Sequence, residues 1–107
     1  MANIGGRSII DAVAGTTVTV TIDPSVQHTI ARWTAAQNVT VNISGVPVDG
    51  QELTLIVTND SLLGRLLTLG TGLLGNGTAL GIVSKRSVIT LVADGGVFYE
   101  RCRTIGI

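Results

Sequence analysis

Few side chains in this chain could do chemistry. His28 is the one imidazole and Cys102 the one thiol among 107 residues. One histidine excludes a multi-histidine metal centre. A Ser-His-Asp relay is arithmetically open, with Asp11, Asp23, Asp49, Asp60 or Asp94 as the acid. No G-x-S-x-G elbow presents a nucleophilic serine, however. The acids are dispersed, whereas a calcium loop needs them clustered. Cys102 has no intrachain disulfide partner, which leaves a half-buried free thiol or an interchain bridge. The inventory therefore assigns no catalytic residue, no metal ligand and no cofactor, and the expectation is that the protein is not an enzyme.

Two motif matches carry other meanings. Gly70 to Gly75 reads GTGLLG and satisfies G-x-G-x-x-G, with Asp94 at about the distance of a ribose-binding acid. A dinucleotide site needs the last glycine to open a helix, and here Asn76, Gly77, Thr78 and Gly81 follow. The match reads as an accident in a Gly-rich loop. Asn38, Asn42, Asn59 and Asn76 each begin an N-x-S/T triplet. With no secretory signal in MANIGGRSIIDAVAG, these read as polar residues at strand edges and turns.

The aromatic residues number three, and Phe98 and Tyr99 are adjacent, just after Asp94-Gly95-Gly96. On a strand they point to opposite faces, so one enters the core and the other meets a second surface. Tyr99, with Trp33, is then a candidate for a subunit contact or for a sugar-stacking platform, and the subunit contact is the better supported.

The elements that must position these residues are strands. Val, Ile and Thr alternate in short runs punctuated by Gly or Asn-Gly. Thr16 to Ile22 (TTVTVTI) places Val18, Val20 and Ile22 on one face; Asn38 to Ile43 (NVTVNI) repeats the pattern with Val39, Val41 and Ile43. Glu52 to Thr58 offers Leu53, Leu55 and Val57, and Arg65 to Leu69 follows. Ser87 to Ala93 is nearly apolar throughout, which predicts a strand covered on both faces. The Asp94-Gly95-Gly96 turn folds Val97 to Arg103 back upon it. Gln27 to Trp33 reads as a further strand or a single helical turn. The spacing predicts an all-β fold: an antiparallel β-sandwich or jelly roll of about seven or eight short strands, without an internal repeat. Residues 1–14 show little strand patterning and read as a flexible N-terminal arm, frayed or ordered on a partner, before a domain at 15–107.

Composition bears on partners. Charged residues make up 13% and apolar residues 45% of the chain, and the net charge is zero. The charged share is about half the usual ~25%, which suggests surface hidden against other chains. No basic stripe supports nucleic-acid binding, and no window reaches the roughly 18–20 apolar residues of a membrane helix.

The order of features then resembles a β-domain of tailed-bacteriophage virion proteins, found in tail fibres, head fibres and capsid-decoration proteins. The resemblance is carried by N-V-T-V-N-I, then G-x-P-x-D-G-Q-E-L-T-L-I-V-T-N-D, then Gly64-Arg65 with L-L-T-L, then S-V-I-T-L-V-A-D-G-G-V-F-Y-E, and covers Gln27 to Glu100. The chain departs from that pattern at Leu69-Gly70, where the family has Trp-Pro, and at Phe98. The resemblance implies a structural virion protein, made in the host cytoplasm. It would be a capsid decoration (cement) or head-spike protein that self-associates, as a homotrimer, and binds the major capsid protein or another virion protein. The alternative is a tail-fibre-type receptor- or carbohydrate-binding module. Interface candidates are Ile4, Ile9, Ile10 and Val13 in the arm, with Trp33 and Tyr99 on the body.

Overall fold

The protein's structure is a computed structural model that describes residues 6–107. Ten strands account for its regular structure, and the described residues contain no helix. They are β1 (Arg7–Asp11), β2 (Thr17–Thr21), β3 (His28–Ala35), β4 (Val39–Ser44), β5 (Glu52–Asn59), β6 (Leu66–Leu69), β7 (Leu73–Leu74), β8 (Ala79–Leu80), β9 (Arg86–Asp94) and β10 (Val97–Thr104). The segment expected at Gln27 to Trp33 is therefore strand from His28 onward, not a helical turn.

The strands form two sheets, one ordered β1-β3-β5-β9-β10-β7 and the other β2-β4-β6-β8. Through β6 the chain alternates between them, so odd strands stack in one sheet and even strands in the other. Along this path the ladders are parallel: β1 on β3, β3 on β5, β2 on β4 and β4 on β6. The path is a flattened coil, a β-solenoid-like arrangement. Only afterwards do antiparallel ladders enter, as β9 returns along β5 and β10 folds back on β9.

This corrects three expectations. The all-β class holds, but the antiparallel sandwich or jelly roll does not describe the connectivity. A strand that buries one face has the same period-2 pattern whatever the direction of its neighbour, so alternation does not reveal parallel pairing. A repeat is present in the structure. Arg7 lies beside His28 and His28 beside Glu52, so successive passes are 21 and 24 residues apart. In the other sheet Thr17 lies beside Thr40 and Val39 beside Leu67, spacings of 23 and 28. Unequal loops hide the period. Finally, part of the expected arm is built into the sheet, because Arg7–Asp11 is an edge strand with Ile10 packed against the core.

The core lies between the sheets. One wall is Val18, Val20, Val39, Val41 and Leu67; the other is Ala31, Trp33, Leu53, Leu55, Ile89, Leu91 and Phe98. The alternation of β9 is buried, half-buried, buried, so Val88 and Val92 are only partly covered by their neighbours on the outer face. Phe98 is fully buried and Tyr99 points outward, as a strand requires.

One buried polar residue fastens the turns. Gln51 is 2% exposed. Its amide nitrogen donates to the carbonyls of Asp23 at 2.9 Å and Val26 at 2.6 Å, and its carbonyl oxygen accepts from the Val48 amide at 2.7 Å. It ties the turn after β2 to the turn before β5.

Candidate functional site

Catalytic geometry can be tested first at His28. Its Nε2 lies 2.7 Å from the Thr54 hydroxyl and its Nδ1 3.9 Å from Glu52, all on the outer face of the larger sheet. Cys102 pairs with Thr90 across the β9–β10 ladder, with its sulfur 3.3 Å from that hydroxyl. β5 and β9 lie between the strands of His28 and Cys102, a separation of about 14 Å at ~4.8 Å per strand. The two cannot form a thiolate–imidazole pair in this arrangement. Among the described residues no group of three His, Cys, Asp or Glu side chains is placed to hold a metal.

The glycine-rich loop is shaped by packing. A Cβ at Gly70 would overlap the Asn42 side chain and the Val41 carbonyl, and one at Gly75 would overlap Glu100 and Leu69. Glu100 sits at the register shift of β10, where Arg101 is the extra residue, and its side chain is 1% exposed. Both its oxygens accept from Arg103 at 2.6 Å, and Oε1 also accepts from the Asn76 amide at 3.1 Å. Arg103 donates in turn to the carbonyls of Thr78 and Gly77. Packing therefore requires glycines where the loop touches the sheet. The hydrogen bonds from Arg103 hold the Glu100 carboxyl below the usual carboxylate range.

A different arrangement stands out at one end of the molecule. The loop 60–65 exposes Leu62 and Leu63, 74% and 62% accessible. The neighbouring strand β8 exposes Leu80, the segment after it exposes Ile82 and Val83, and Ile107 lies exposed beside them. Backbone hydrogen bonds join these pieces: Gly81 N–H to the Arg65 carbonyl, Ser84 N–H to that of Asp60, and Ile107 N–H to that of Arg86. Asn59, buried at the end of β5, accepts from the Arg65 amide at 2.7 Å and donates to the Leu63 carbonyl. Asp60 and Arg65 form a two-point ion pair at 2.6 and 3.1 Å that is mostly shielded from solvent. This guanidinium holds the Asp60 carboxyl below its ordinary range. Apolar side chains are thus displayed on a braced, pre-ordered loop, which limits the entropy lost when a partner covers them.

The expected interface residues are dispersed. Ile4 lies outside the described residues. Ile9 is exposed on the outer face of β1 and Val13 is exposed just beyond it, whereas Ile10 packs inward. Trp33 is 6% exposed, and its indole N–H is buried without a protein partner. It faces the interior while Tyr99 faces outward with Leu74, so the two rings share no platform. The apolar end was missed, although Asn59-Asp60 and Gly64-Arg65 stood in the quoted pattern. The available signal was a Leu-Leu pair placed between them in a loop.

Comparison with protein-family models, with curated proteins and with solved structures yields no match. No site is carried over from a relative, and function is argued from this geometry.

Proposed function

We propose that the chain is a structural, self-associating virion protein of a tailed bacteriophage, a capsid decoration or head-spike protein, and not an enzyme. The observation that carries the reading is the braced apolar end: Leu62, Leu63, Leu80, Ile82, Val83 and Ile107 exposed together in a chain with few charges. Exposed apolar residues gathered in one region mark contact with other protein. The copy number of three and the capsid as partner come from the sequence resemblance. In this reading the end covers a sister subunit or the shell, and repetition over a symmetric surface multiplies weak contacts through effective concentration. No cofactor, nucleic acid or membrane enters the role. The carbohydrate-binding alternative gains nothing from Trp33 and Tyr99, which lie on opposite faces of the larger sheet.

The test has two arms. Light scattering after size separation is expected to give a multiple of three copies for the wild type, and Leu62→Asp/Leu63→Asp is expected to remove the threefold contact without loss of folded signal. Immunogold labelling of virions of the phage that encodes the chain is expected to decorate the head. A wild-type monomer at every concentration, or virions without label, would overturn the proposal.

A further inference from the structure

Among the described residues, the first pass of the coil is open on its outer side. β1 ends the larger sheet and β2 ends the smaller one, so both unpaired edges lie at the same end of the stack. Natural edges are blunted by short strands, charged side chains, Pro or a bulge, and β1 carries its charges only at its two ends. β1 reads Arg-Ser-Ile-Ile-Asp and β2 reads Thr-Val-Thr-Val-Thr, and neither contains Lys or Pro.

Which backbone groups face the edge follows from the ladder. The Gly6 carbonyl accepts from His28 N–H at 3.3 Å, and Ala12 N–H donates to the Arg32 carbonyl at 2.9 Å. In a parallel pair, alternate residues bond to a given neighbour. Even-numbered residues of β1 therefore bond to β3, and the N–H and C=O groups of Arg7, Ile9 and Asp11 point away from the sheet. The same parity holds in β2. Thr16 C=O accepts from Thr40 and Ile22 N–H donates to Ser44, so Thr17, Thr19 and Thr21 carry the free groups.

We infer that this edge docks a second copy of the chain, β1 against β1 in antiparallel register about a twofold axis through Ile9. The edge is complementary to itself in three respects. Antiparallel pairing centred on Ile9 opposes the odd residues that carry free groups, and each facing pair exchanges two backbone hydrogen bonds. It sets Arg7 opposite the partner's Asp11, and Asp11 opposite the partner's Arg7, so opposite charges meet at both ends. It also brings Ile9, 54% exposed, against its own counterpart on the same face of a continuous sheet. Asp11 is already bonded to Arg32, and Arg7 forms no ion pair among the described residues. The partner's Arg7 would complete a three-membered network on Asp11. β2 reads identically in both directions, so reversing it preserves its pattern of Thr and Val.

The pairing is independent of the threefold contact proposed above, and one experiment separates them. Native mass is measured over a concentration series for the full chain, for Ile9→Lys and for Leu62→Asp/Leu63→Asp. Ile9→Lys puts two ammonium groups at the centre of the pairing and leaves the core untouched. It is expected to weaken the twofold contact at least tenfold. A hexamer that Ile9→Lys splits into trimers supports both contacts. A dimer that it splits into monomers supports the pairing alone and removes the trimer. A trimer unchanged by Ile9→Lys, or a monomer throughout, overturns the pairing. Cross-linking gives an independent readout. In a Cys102→Ser background Ile9→Cys is expected to form a disulfide-linked dimer on mild oxidation, because facing residues of such a pair lie about 5.5 Å apart at Cα. Ser8→Cys, which faces the interior and opposes Ile10, is expected to stay monomeric on a non-reducing gel. Equal cross-linking of the two variants would also overturn the pairing.

Discussion

At the scale of single residues, buried polar side chains do more to define this molecule than its aromatic pair. Gln51 satisfies three backbone groups in two separate turns, and no other side chain bonds to those groups. Gln51→Leu keeps similar bulk but strands the Val48 amide and the Val26 carbonyl, while the Asp23 carbonyl keeps only the Val26 N–H. Each unsatisfied buried group costs about 1–3 kcal/mol, and some of these would regain water. The expected loss is about 3 kcal/mol in urea unfolding, with an unchanged denaturant slope; a loss below ~1 kcal/mol would refute the role. This importance was invisible in the sequence, where Gln51 is one polar residue after an Asp-Gly turn. Its partners are 25 and 28 positions away for the two carbonyls, and only the fold brings them near. Phe98 and Tyr99 were legible, because strand alternation alone separates an inward ring from an outward one.

At the scale of elements, β10 and the loop 75–78 form a unit held by Glu100 and Arg103. The folded-state carboxyl of Glu100 titrates below its ordinary value, chiefly because Arg103 hydrogen-bonds to it. The stability it contributes is fully present above the unfolded-chain value of about 4.3 and is lost as pH falls through the lower folded value. Asp60, held down by Arg65, acts in the same direction at the other loop. The unfolding midpoint is therefore expected to hold between neutral pH and about 4.3 and to fall below it. In Glu100→Gln the fall should be smaller. A midpoint unchanged down to pH 3, or a Glu100→Gln variant with an identical acid profile, would show that the clamp contributes nothing. Strand positions and inward faces were largely readable, since Val18, Val20, Val39, Val41, Leu53 and Leu55 occupy the expected core. Strand partners were not. A Thr/Val alternation fits either ladder direction, and passes of 21, 23, 24 and 28 residues have no fixed period for the eye to find.

At the scale of the whole molecule, the interior pass made by β3 and β4 meets its neighbours only through parallel ladders, β1 and β5 on one side of the coil, β2 and β6 on the other. Neither the self-complementary edge nor the apolar end is built from it. Length is consequently a separable property of this architecture. A second pass spliced in after Gln51, patterned on residues 28–51, keeps the 24-residue spacing of β3 and β5 and would meet the same kind of ladder above and below. Scattering in solution should then record growth of about 4.8 Å along the stacking direction. A splice that unfolds the chain would show the passes are not interchangeable. If the splice folds, descendants of such a chain could be tuned in reach, one strand spacing at a time, while the surfaces at either end stay the same.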